Sequence, residues 1–310
     1  RAVGRPDDLR GLELYRAHGA RHLEPGVLLR LSQGDYHAGD PEGAEAWARE
    51  ALRSAEELGW RDVVQWAAGD LLNALFAGPS PLSRLAAEAG ALVDRWAGRL
   101  ASRPALWVRA EARALMGDAP GARADLDEAA RLRAALGLPG DSDELWAEPS
   151  VVLGTGDLRA VAEACRAALA QLPDGDRMNR NFMLGMYARV LLDLGHDEEA
   201  QVAVEPLERS AIVEQLTIHR SLGARLLARR GDIDAALASI DEAAALLVPT
   251  GLAIVKADVA LDRAHVLLAA GRVEDARASA EDALGRYRTK EHEVGARRAV
   301  ALLGAMTHPR

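Results

Sequence analysis

Chemistry in this chain would have to come from few candidates. His18 and His22 stand four residues apart, a spacing that offers two imidazoles to a metal from one helix face. Gly19 lies between them where a helix ends, and neither an HExxH sequence nor a third ligand accompanies them. Gly154-Thr155-Gly156-Asp157 has the outline of a phosphate loop, but no Gly-Lys-Ser/Thr follows and no strand precedes it, so it reads as a turn. Carboxylates are plentiful, as at Asp125, Asp127 and Glu128 or Glu281 and Asp282, yet they are spread along polar faces, and acid–base work needs groups that converge. Serine, histidine and aspartate are all present without specifying a triad. The chain reads as a non-enzyme with no metal and no cofactor.

Side chains suited to recognition form a more orderly set. Six residues before five of the turn glycines, Gly39, Gly117, Gly195, Gly231 and Gly271, stand Gln33, Glu111, Arg189, Arg225 and His265, polar groups among Leu, Ala and Val, at a position that can face a concave surface. Tyr36, His37 and Trp107 extend this surface in the first half, and Asn179, Asn181 and Phe182 farther on. Asparagine can pair with peptide backbone and arginine can grip a carboxylate with two parallel bonds. The expected recognition residues are Gln33, Tyr36, Glu111, Arg189, Arg225 and His265. Trp47, Trp60, Trp66 and Trp96 read instead as packing between helices.

The elements that must position these groups follow from the glycines. Gly39, Gly117, Gly156, Gly195, Gly231 and Gly271 are followed five residues later by Ala44, Ala122, Val161, Ala200, Ala236 and Ala276. Twelve residues later come Ala51, Ala129, Ala168, Leu207, Ala243 and Ala283, and seven before stand Ser32, Ala110, Pro149, Ala188, Ala224 and Ala264. Gly78 falls midway between Gly39 and Gly117, giving seven hairpins at intervals of 36 to 40 residues. Two antiparallel helices approach closely where both present small side chains, and glycine accepts the left-handed backbone that ends an arm. One hairpin cannot bury its apolar faces, whereas stacked copies share a continuous core. The expectation is an all-α, right-handed tetratricopeptide-like solenoid of about seven antiparallel hairpins, one helical-repeat domain over 1–310.

In chain order, a helix over 6–18 precedes the hairpins, and a final helix over 291–305 follows them. Asp40-Pro41 supplies an N-cap and a first-turn proline. Pro149 falls inside the inner arm of the fourth repeat, where proline removes a backbone hydrogen bond, so an interruption and a bend or subdomain boundary are expected at 136–156. The loop Leu136–Asp141 belongs to the same irregular stretch. A pocket near 136–186 for a small effector is the alternative to an open peptide groove, and an enzyme on a helical scaffold is a remote third reading.

Composition narrows the partners. Apolar residues make up 49% of 310 and aromatics only 4%, so alanine and leucine must build the core. A formal charge of −9 supplies no footprint for nucleic acid. Cys165 is the single cysteine and reads as a buried small residue. No apolar run reaches membrane-span length and no leader pattern is visible, so the expected compartment is the cytoplasm. The chain begins at Arg1, as a module of a longer protein would.

The small–glycine–alanine–alanine offsets resemble the tetratricopeptide-repeat superfamily over about residues 24–290, with a 39-residue period longer than the usual unit and few of its aromatic positions. Leu75-Phe-Ala-Gly-Pro-Ser-Pro81, Val248-Pro-Thr-Gly251, Ala269-Ala-Gly-Arg-Val-Glu-Asp-Ala276 and Ala283-Leu-Gly-Arg-Tyr-Arg-Thr-Lys290, leading to Val294-Gly-Ala-Arg-Arg298, are similar to the C-terminal region of multidomain bacterial, especially actinobacterial, signalling ATPases with cyclase or helix-turn-helix relatives. Glu291 stands where such tails often have glycine. The resemblance implies a sensing or autoinhibitory arm in signalling or transcriptional regulation that receives a protein, peptide or small effector. None of that family's ATPase or cyclase motifs is present.

Overall fold

The computed structural model describes residues 5–135, 137, 142–173 and 175–307. It is all-helical over these residues, with sixteen α-helices in antiparallel succession. A leading helix α1 (Arg5–Ala17) is followed by the hairpins α2 (Glu24–His37) with α3 (Pro41–Leu58), α4 (Arg61–Ala77) with α5 (Leu82–Arg95), and α6 (Arg103–Leu115) with α7 (Ala119–Ala135). Next come α8 (Ser142–Thr155) with α9 (Leu158–Gln171), α10 (Arg177–Leu194) with α11 (Asp197–Val204), α12 (Val213–Arg229) with α13 (Ile233–Leu247), and α14 (Ala253–Ala269) with α15 (Val273–Lys290). A last helix, α16 (Glu293–Thr307), closes the set. The seven expected hairpins are present, and the fold is a tetratricopeptide-like solenoid.

The offsets have a physical cause. Ala44, Ala122, Val161, Ala200, Ala236 and Ala276 are all fully buried where the two arms meet, as are Ala110, Ala188, Ala224 and Ala264 on the first arms. Ser32 occupies the first of these positions and donates its hydroxyl to the Ala44 carbonyl at 3.0 Å, so its one polar group is satisfied inside the hairpin. At Gly195 the backbone turns left-handed (φ 82°), Gly195 N–H reaches Leu192 O and His196 N–H reaches Leu191 O at 2.9 Å. This pair of bonds satisfies carbonyls that a helix end leaves without partners. Asp40, Asp157 and Asp176 cap helix starts by accepting backbone N–H groups.

Four expectations are corrected or fall elsewhere. Pro149 lies inside α8 without interrupting it. Pro149, Ser150 and Val151 are buried among neighbouring helices, and this packing holds the helix together through the one missing bond. Gly78 ends α4 in extended backbone (φ −74°, ψ −176°), because Pro79 and Pro81 carry the chain away without a left-handed turn. Trp60 and Trp66 are exposed, Trp66 by 60%, whereas Trp96 is buried and Trp47 donates its indole N–H to Asp35 at 3.0 Å. The loop Leu136–Asp141 lies outside the described residues except Gly137. Cys165 is buried, and burial pushes its thiol up to about 12.

The solenoid coils until its last repeats touch its first. Gly251 N–H donates to Gly39 O at 2.8 Å, and a Cβ on Gly39 would stand 2.7 Å from Thr250 Cγ2, so the α2–α3 and α13–α14 turns are in van der Waals contact. Lys290, 2% exposed at the end of α15, donates to the carbonyl oxygens of Leu75 (2.9 Å), Gly78 (2.6 Å) and Ser80 (2.6 Å). Glu291 adopts a left-handed conformation (φ 60°) and accepts Ser83 N–H at 2.9 Å. Val294 of α16 joins the core built from α1 to α6. Among the described residues no helix is long and apolar enough to cross a membrane.

Candidate functional site

Because the coil closes, the first arms of all seven hairpins face a common interior. A cavity of about 460 Å³ lies there, and α2, α4, α6, α8, α10, α12 and α14 each contribute at least two residues to its wall. This volume falls in the range of pockets that enclose small ligands or a few side chains. The wall is mixed: Tyr36, Phe76, Trp107, Trp146 and Phe182 supply rings, and Gln33, Asn73 and Asn179 supply amides. Trp146 and Phe182 meet edge to face with centroids 6.0 Å apart. That geometry suits aromatic quadrupoles and holds both rings in place.

Four carboxyls, Asp70, Glu111, Glu214 and Asp258, line the same cavity. Burial pushes Asp70 up to about 7, opposed by the hydrogen bond from Gln33. Burial likewise pushes Glu111 up to about 7, opposed by hydrogen bonds from Ser150, at 2.9 Å, and from Trp146. Glu214 rises to about 7 through burial and then through the charges of Asp258 and Glu111. Tyr36 is held well above its ordinary value by burial and then by Glu214, Glu111 and Asp70, so these carboxyls crowd one region. Ser32, the serine on the wall, is committed to the Ala44 carbonyl.

Of the six expected recognition residues, Gln33, Tyr36 and Glu111 line this cavity, together with His37, Trp107, Asn179 and Phe182. Asn181 does not line it and donates to Gln215 at 3.1 Å. Arg189, Arg225 and His265 lie in a separate, buried constellation. Asp262, with no exposed surface, accepts from three residues, Arg189 (2.8 and 2.9 Å), Arg225 (3.2 Å) and Ser221 (2.6 Å). Arg225, 3% exposed, also reaches Asp193 at 2.8 Å, and Arg298 of α16 reaches the other oxygen of Asp193 at 3.0 Å. Against the cost of burial, Arg189 and Arg225 hold Asp262 below the usual carboxylate range. Burial, followed by the charge of Arg225, lowers His265 to about 4 and keeps it neutral. Asp258 belongs to both regions, since it lines the cavity and is paired with Arg189 (3.8 Å), Arg298 (3.7 Å) and the Tyr287 hydroxyl.

Sequence reasoning missed Asp70, Asn73, Trp146, Glu214 and Asp258, and the reason is geometric. Wall residues shift backward along the inner arm from repeat to repeat. They lie three and six before the turn glycine in α2, at Tyr36 and Gln33, and six and ten before it in α6, at Glu111 and Trp107. They lie thirteen before it at Phe182, Ile218 and Asp258, and seventeen before it at Met178, Glu214 and Ile254. These offsets are the 3–4 spacing of one helix face, slid toward the N-terminus as the coil advances. A fixed offset of six therefore finds the wall early in the chain and the ion-pair constellation later.

No protein-family model matches the sequence, and no curated protein matches it. Solved structures do match. The crystal structure of NprR in complex with its cognate peptide NprX is similar at a TM-score of 0.55 and 15% identity, over 90% of this chain and 82% of that one. A Rap protein complexed with competence and sporulation factor gives 0.44 and 13% over 92% and 98% of the two chains. The APC/C hetero-tetramer Cut9–Hcn1 gives 0.49 and 14% over 99% and 60%. At these identities the likeness to NprR is one of helical-repeat fold.

Proposed function

We propose that this chain is a noncatalytic recognition scaffold that takes a segment of a protein or peptide into the cavity between its inner helices, as the sensing or autoinhibitory arm of a regulatory system. The observation that carries the reading is the convergence of seven inner helices on one mixed polar and aromatic cavity. NprR, which shares the fold, is seen with a cognate peptide. The recognition residues in this reading are Gln33, Tyr36 and Glu111 together with Asp70, Trp107 and Phe182. Arg189, Arg225 and His265 then hold the last repeats in register around Asp262, and act on binding through the cavity's shape. The volume of the cavity also favours a second reading, in which a small effector is the occupant.

Gly69 provides the test. It stands on the wall, and no heavy atom lies within 4 Å of the place a Cβ would take, so a larger side chain projects into space. Gly69→Phe should weaken peptides selected on the wild-type protein by at least about tenfold while leaving thermal unfolding nearly unchanged. Full binding by the filled variant would remove the cavity from the account.

A further inference from the structure

The wall of the cavity is chemically one-sided. Asp70, Glu111, Glu214 and Asp258 line it, and its described lining residues include no arginine or lysine. Elsewhere on the inner helices, Asp193, Asp258 and Asp262 are neutralised by Arg189 and Arg225 of those helices and by Arg298 of α16. Asp258 is thus already served, whereas one oxygen of Asp70 is buried without a hydrogen-bond partner. Charged or polar groups left in this condition are costly, and a complementary ligand group removes the cost. A second observation comes from Trp107. Its residue is 5% exposed on the cavity wall, and its indole N–H has no acceptor.

We propose that the cavity selects a cation, an ammonium or guanidinium on an apolar body beside a hydrogen-bond acceptor, as supplied by a lysine, an arginine or a free amino terminus followed by its peptide carbonyl. The carboxyls of Asp70, Glu111 and Glu214 would take the charge, and the acceptor would satisfy Trp107. The rings of Tyr36, Phe182 and Trp146 offer faces to the cation and contact to its stem. An anion would find no arginine or lysine among the described lining residues and would hold the carboxyls in their protonated form, and a neutral ligand would leave them unserved. The inference rests on the cavity being the recognition site and adds what that site distinguishes.

The test has two arms, each run on the wild-type chain and on the Asp70→Asn/Glu111→Gln/Glu214→Gln variant, with thermal unfolding as a check of fold. In the first, a random heptapeptide library displayed on phage, with free amino termini, is selected on the immobilised protein. In the second, calorimetry compares 3-phenylpropylamine and 3-phenylpropylguanidine with neutral 4-phenylbutanol and anionic 4-phenylbutanoate. Enrichment of lysine, arginine or a favoured amino-terminal residue, with affinity lost at least about tenfold in the triple variant, is the expected result. Enriched neutral or acidic peptides that bind both proteins equally would overturn the cation and leave peptide recognition standing. Binding of the amine and guanidine alone, lost in the variant, would uphold the cation and reject the peptide. Silence in both arms, or equal binding of all four small probes, overturns the proposal. Should the triple variant not fold, Glu111→Gln alone is carried through both arms with the same reading.

Discussion

Asp70, Glu111 and Glu214 each reach about 7 chiefly through burial, so near neutral pH the cavity holds protons that the unfolded chain releases well below it. The sign follows: this contribution to stability is complete below the unfolded values and is lost as pH rises through about 7. His265 and His292 act oppositely, because burial depresses both to about 4 and their contribution is lost as pH falls from 6.5 toward 4. Glu111→Gln leaves both histidines in place and removes one acid. It should gain on the wild type by roughly 1–3 kcal/mol between about pH 5 and pH 8 in urea unfolding. A pH-independent difference would contradict the burial of Glu111. Glu291 presents a different balance, since its left-handed backbone is strained while its carboxylate accepts Ser83 N–H. Glu291→Ala loses the bond and keeps the strain, whereas Glu291→Gly loses both. The glycine variant should therefore be the more stable of the two by about 1 kcal/mol. Equal stability would mean that no strain is present.

At the scale of the helix, hairpin packing was legible because one small residue at a fixed offset has one job. Ala276 is buried on the second arm of the last hairpin in the way Ala44 is in the first. Ala276→Leu should destabilise by roughly 1–3 kcal/mol through overpacking, as read by chemical denaturation, and an unchanged midpoint would place it off the interface. Pro149 misled because a helix interior was judged from one missing backbone bond, while α8 is held by burial of Ala147, Ser150 and Val151. Gly78 misled in the opposite direction, its spacing fitting the repeat while the flanking prolines set an extended exit. The candidate site was half legible. Gln33, Tyr36 and Glu111 follow from a fixed offset, but Glu214 and Asp258 require knowing how far each inner arm slides along the coil axis. That slide is a property of stacking between repeats and leaves no mark within one repeat.

Across the whole molecule, three stretches far apart in the sequence, Leu75–Pro81, Val248–Gly251 and the end of α15 at Lys290, meet where the coil closes. Leu75–Pro81 supplies the carbonyls that Lys290 binds, and Val248–Gly251 seats against Gly39. Burial lowers Lys290 to about 8, so below that pH a charged amine bridges the first and last repeats. Lys290→Met should cost roughly 2–4 kcal/mol, because three carbonyls lose a charged donor. It should also raise the radius of gyration in X-ray scattering above the about 20 Å expected for a compact chain of this length. Unchanged scattering and stability would show that the ends are held together by other contacts.

Closure and recognition meet in one claim, that the bound segment lies inside the coil. A diazirine-bearing version of a display-selected peptide, irradiated with the full chain and mapped by mass spectrometry, addresses it most directly. Attachment should fall on wall residues of the inner helices such as Tyr36, Phe182 and Ile218. Attachment confined to the outer helices, at exposed residues such as Val202 or at Val248 in the turn beyond α13, would contradict the account.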